Sequence, residues 1–121
     1  MANYIHWQDY YRQNFLKAFY TAKNSIENMN IDAKTIYDLV DKTVTTLRYF
    51  LQNNGIFYFS DIDVIRQAFY IEFLEDGDAL MEIYSLLKNI DNGSMTEDIR
   101  ERFKTNFFAF ENLKQKFESS V

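Results

Sequence analysis

A chain of 121 residues can build one sizeable hydrophobic core but not two ordinary ones, so a single domain over 1–121 is expected. Its 47% hydrophobic and 18% aromatic content excludes intrinsic disorder, and 0 cysteines, 0 prolines and 3 glycines argue against a disulfide scaffold, a thiolate metal site, a cysteine nucleophile and a turn-rich β-sandwich. The net charge of -5 disfavours broad binding to a nucleic-acid backbone.

Met1 to Trp7 lacks the basic segment and apolar stretch of a signal peptide. No run reaches the apolar length of a membrane span, so a cytoplasmic location is expected. Trp7, Tyr11, Phe15, Ala18, Ala22 and Ser25 or Ile26 recur at three-and-four spacing, predicting a first helix over about Tyr4 to Asn28. Asn28-Met29-Asn30 breaks that pattern. Asp32 is placed to cap a second helix whose inward stripe is Ile36, Val40, Val44 or Thr43, Leu47 and Leu51, ending at Asn53-Asn54-Gly55.

An aromatic loop, Ile56 to Phe59, precedes Ser60, the expected cap of a third helix with Ile62, Ile65 and Phe69 turned inward. Glu75-Asp76-Gly77-Asp78 reads as a turn, and Leu80, Ile83 or Tyr84, and Leu87 as the stripe of a fourth helix stopping near Asp91-Asn92-Gly93. Ser94 and Glu97 have capping-box spacing, and Ile99, Phe103, Phe107 or Asn106, Phe110, Leu113 and Phe117 mark a final helix. Five helices without a convincing strand predict an all-α fold: an antiparallel up-and-down four-helix bundle with one additional short helix.

Little in this pattern supports catalysis. His6 is the single histidine and has no evident nucleophile or ligand set beside it. The acids Glu72, Glu75, Asp76, Asp78 and Glu82 lack the alternation of a calcium loop, so no metal site and no cofactor is expected. No glycine-rich phosphate loop is present. The aromatics are more informative: Phe103, Phe107, Phe108, Phe110 and Phe117, like Tyr10, Tyr11, Phe19 and Tyr20, are expected to occupy more than one helix face, which favours self-association. Arg12, Arg48, Arg66 and Lys88 are the cations available to an aromatic stacking platform.

Three segments in order carry a family resemblance. Arg12-Gln13-Asn14-Phe15-Leu16-Lys17-Ala18-Phe19 is similar to an opening R-x-x-N-F-x-K-A-L helix, and Thr46-Leu47-Arg48-Tyr49-Phe50-Leu51 through Gly55-Ile56 to T-L-K-D-Y-L-x-x-x-G-I. Asp63-Val64-Ile65-Arg66-Gln67-Ala68-Phe69 followed by Asp76-Gly77 is similar to D-V-I-R-x-A-F and D-G. The chain thus resembles, over nearly its whole length, the HEPN superfamily, and within it the nucleotidyltransferase substrate-binding proteins encoded beside minimal nucleotidyltransferases.

The resemblance implies a homodimeric helical bundle that partners a minimal nucleotidyltransferase chain and binds a nucleotide, with Arg48, Arg66, Lys88 and Asn89 supplying charge and hydrogen bonds to a phosphate. Many HEPN proteins cleave RNA through R-N-x-x-x-H, often extended to H-x-Y. Here Lys88 stands for the Arg, Asn89 is kept, Gly93 replaces the His, and Met95 stands near the Tyr position. Glycine moves no proton, so a non-catalytic subunit is expected rather than a ribonuclease toxin. Val44 also falls where the family carries Trp, and Ile36-Tyr37 where it carries Phe-Glu, while Asp41 retains an acid. A stand-alone interaction or immunity-like module is the third reading.

Overall fold

The first helix, α1, runs Ala2–Glu27 and turns Phe15, Ala18, Phe19 and Ala22 inward at the expected spacing. The computed structural model describes the backbone of residues 2–53, 60–68, 77–91 and 95–119, and the side chains of 9–49, 60–66, 77–90 and 95–118. His6, Phe50 to Phe59, Phe69, Glu72, Glu75, Asp76 and the Asn92-Gly93 stop lie outside the described side chains. The other helices are α2 (Ala33–Asn53), α3 (Asp61–Ala68), α4 (Gly77–Asp91), α5 (Glu97–Asn106) and α6 (Phe108–Ser119). The described residues contain no strand.

The end of α1 explains the break at Asn28-Met29-Asn30. The Asn30 amide donates to the Ser25 carbonyl at 2.8 Å and the Met29 amide to Ile26 at 3.2 Å, with Met29 left-handed at φ 56°. This is a Schellman closure in which methionine holds the place usually given to glycine. Five residues later α2 begins under Asp32, whose carboxylate accepts from the Thr35 amide at 2.8 Å. The short connection and extensive contact make α1 and α2 an antiparallel pair. Across that pair, the buried Thr46 hydroxyl shares its single proton between the Lys42 carbonyl of its own helix at 2.8 Å and the Tyr11 carbonyl of α1 at 3.2 Å.

One contiguous core draws on all six helices: Ile36, Leu39, Val40, Val44 and Leu47 from α2, Val64 and Ile65 from α3, and Leu80, Ile83, Leu86 and Ile90 from α4 meet the phenylalanines of α1, α5 and α6. The α4 stripe therefore takes Ile83 and Leu86, and leaves Tyr84 and Leu87 half-buried. On α3 the inward direction falls between Val64 and Ile65. Ile62 lies roughly 110° from it at 3.6 residues per turn, and is exposed instead of inward.

Three expectations about helix bounds are corrected. Thr96, not Ser94, caps α5, because its side chain accepts from the Ile99 amide and Glu97 is already the first helical residue. Gly77 likewise belongs to α4 and not to a turn. The single final helix is divided at Phe107, whose amide donates to Lys104 at 3.3 Å and whose carbonyl accepts from Phe110 at 3.0 Å, one tight turn between α5 and α6. Phe103, Phe107, Phe110 and Phe117 nevertheless share one buried face, because their spacing of four, three and seven is itself helical. Phe108 alone is left out, at 48% exposure. In α1 the surplus likewise reduces to Tyr10 and Tyr20, since Phe19 is buried in a stack on Phe107 at 5.3 Å.

Candidate functional site: a groove across α2, α3 and α4

A groove of about 440 Å³ is lined by Tyr37 of α2, Ile62 of α3 and Met81, Tyr84, Ser85, Leu87 and Lys88 of α4. It exists because α4 carries apolar residues on two faces. Ala79, Leu80, Ile83, Leu86 and Ile90 serve the core, while Met81 and Tyr84 continue to Lys88 on an adjoining side. The exposed Ile62 supplies the opposite wall. At the rim the Tyr37 hydroxyl donates to the Leu87 carbonyl at 3.2 Å, tying α2 to the last turn of α4.

The four residues anticipated as phosphate contacts occupy this neighbourhood in different ways. Lys88 lines the groove, is exposed, and has no ion-pair partner among the described residues. Asn89, the next residue, is exposed at the end of α4. Arg66 is exposed on α3, one turn beyond Ile62. Arg48 is engaged already: its guanidinium donates to Asp61 at 2.8 Å, joining α2 to the start of α3. Lys88 and Asn89 are thus together, Arg66 stands on the helix forming the far wall, and Arg48 acts first as a brace.

The electrostatics follow from this placement. Burial pushes the Tyr84 phenol above its ordinary pKa, and the negative charge of Asp61 adds to the shift. Tyr84 is therefore a neutral hydrogen-bonding group at any physiological pH. No imidazole or thiol lies among the groove's described residues. Elsewhere Glu82 pairs with Arg102 of α5, which accounts for one member of the acidic cluster, and the exposed Asp41 pairs with Lys42 at 3.4 Å. Among the described residues no three or more acidic, histidine or cysteine groups converge on a metal position. None of the described helices is long and apolar enough to cross a membrane.

Comparison with protein-family models, curated proteins and solved structures gives no match. The groove offers a floor of two phenols and aliphatic side chains, with an ammonium at one end that has no ion-pair partner among the described residues.

Sequence reasoning located the cations but not the floor. Ile62 was expected to turn inward, Tyr84 stood as an alternative to Ile83 in the α4 stripe, Tyr37 entered only in the family comparison, and Met81 was not singled out. Asp61 is a first-turn acid of α3, where it favours the helix dipole, and it also neutralises Arg48.

Proposed function

We propose that the protein is a non-catalytic, HEPN-type binding subunit that partners a minimal nucleotidyltransferase as a homodimer and holds a phosphate-bearing ligand, a nucleotide, at the α2–α3–α4 groove. The observation that carries this reading is the Lys88 ammonium, without an ion-pair partner among the described residues, at the edge of an apolar, tyrosine-containing groove. A planar base matches the floor by stacking and burial, and a phosphate matches Lys88, Asn89 and the exposed Arg66. Function here is positioning: binding energy orients a ligand for chemistry performed by another chain.

The test is calorimetric titration of the purified chain with ATP, followed by Lys88→Ala and Arg66→Ala. Saturable binding weakened roughly ten- to a hundredfold by Lys88→Ala is expected, since a charge-assisted contact contributes roughly 1.5–3 kcal/mol. Co-purification with a nucleotidyltransferase encoded by the adjacent reading frame supports the partner. Absence of nucleotide binding removes the ligand assignment, and RNA cleavage by the wild type that Lys88→Ala abolishes replaces it with the ribonuclease reading.

A further inference from the structure

Arg12 has no role in the groove and yet presents the least satisfied polar group of the described core. Only 9% of the residue is exposed, one turn ahead of Phe15 on the buried face of α1. Its Nη1 donates to Asp9 at 3.4 Å, a long contact to a carboxylate that is itself half in solvent. Nε and Nη2 are closed off from water and have no hydrogen-bond partner. A guanidinium is always charged, and leaving two of its buried N–H donors unpaired, with one long contact to a half-exposed carboxylate as its only charge partner among the described residues, is unfavourable.

The identity of the two orphaned nitrogens is informative. Nε–H and the Nη2–H beside it point the same way along one edge of the planar group. That pair forms the two-pronged fork that donates to both oxygens of a carboxylate or phosphate. Asp9 holds Nη1 on the other side and leaves this fork whole. We propose that the Nε/Nη2 edge of Arg12 is a receptor for a bidentate oxyanion, the phosphate or carboxylate of a small molecule, at a site separate from the groove. The anion enters by local opening at this part of α1. Once bound, it completes the charge in a low-dielectric setting where such bonds are strongest.

The experiment is thermal unfolding of the full chain in sodium phosphate and in sodium acetate, each against sodium chloride at equal ionic strength, for wild type, Arg12→Met and Arg12→Lys. Above saturation each tenfold rise in the free anion lifts the wild-type Tm by roughly 5 °C. Arg12→Met loses that response, and Arg12→Lys, with charge but no fork, keeps only a small part of it. A response to phosphate alone identifies a phosphate group as the ligand, and one to acetate alone a carboxylate. Equal rises in wild type and Arg12→Met mean general salting-out stabilisation and overturn the proposal. So does no rise in either salt. Should Arg12→Met not fold, the Nε–H resonance of Arg12 in the wild type decides: displacement on phosphate or acetate addition supports the site, and an unmoved signal refutes it.

Discussion

The phenolic hydroxyl of Tyr37 donates to the carbonyl of Leu87 at 3.2 Å, and these two residues, fifty positions apart in sequence, fix the rim of the groove. Tyr37 lies on the partly buried side of α2, one step beyond the buried Ile36. The bond therefore aligns the last turn of α4, which carries Lys88 and Asn89, against a helix otherwise held by core packing.

Tyr37→Phe keeps the ring and deletes that bond. The expected cost is about 1 kcal/mol of unfolding free energy, measurable by urea titration with unchanged m-value. If the groove binds nucleotide, the same variant weakens ATP by a few-fold through misalignment of Lys88. Unchanged stability in this variant means the hydroxyl is as well served by water.

Met29 offers a gain in stability. Its side chain is 85% exposed, so nothing packs on it, while its left-handed backbone costs a β-carbon residue about 1 kcal/mol that glycine escapes. Met29→Gly is expected to stabilise the protein by about 0.5 kcal/mol after the entropy that glycine adds to the unfolded chain. A lower Tm in Met29→Gly contradicts the assigned φ.

Asp32 makes an acid-sensitive cap. The hydrogen bond from Thr35 to its carboxylate holds its pKa below the ordinary aspartate value, with nearby Lys34 contributing in the same direction. A depressed carboxyl stabilises the fold above its unfolded pKa, near 4, and that stabilisation is lost as pH falls through the lower folded value. Asp32→Asn, which still caps but does not titrate there, is expected to flatten this part of the stability profile. Asp32→Ala costs about 1 kcal/mol at neutral pH. Parallel acid unfolding curves for wild type and Asp32→Asn dismiss the effect.

What could be read in advance divides along physical lines. The all-α class and the α2 stripe were legible because Ile36, Val40, Val44 and Leu47 repeat at helical period with no proline to interrupt them. The choice of Leu86 over Leu87 was not, since α4 is apolar on two sides and only its neighbours decide which one faces the core. The Ser94 cap failed because two hydroxyl residues stand two apart, and local spacing does not say which of Ser94 and Thr96 meets a free amide. The groove required three helices to come together, and no single window of sequence contains it. The burial of Arg12 was hidden for the opposite reason: an arginine on a helix is ordinarily read as solvated.

The phenylalanines of α5 and α6 give the sharpest contrast between packing and surface. Phe103 and Phe110 are fully buried and lie 6.4 Å apart centre to centre, with Phe107 5.8 Å from each. Truncating either to alanine removes a ring that its close-packed neighbours cannot fill, at an expected cost of about 3–5 kcal/mol, enough to lower Tm by roughly 10–20 °C or prevent folding. Phe108 shares the same helical run but is half exposed. Phe108→Ser is expected to leave monomer stability within about 0.5 kcal/mol. Its consequence depends on what covers the ring. If Phe108 contributes to self-association, sedimentation at micromolar concentration shows the wild type dimeric and Phe108→Ser shifted toward monomer. If wild type and variant sediment alike, this ring is merely tolerated at the surface, and any dimer forms elsewhere.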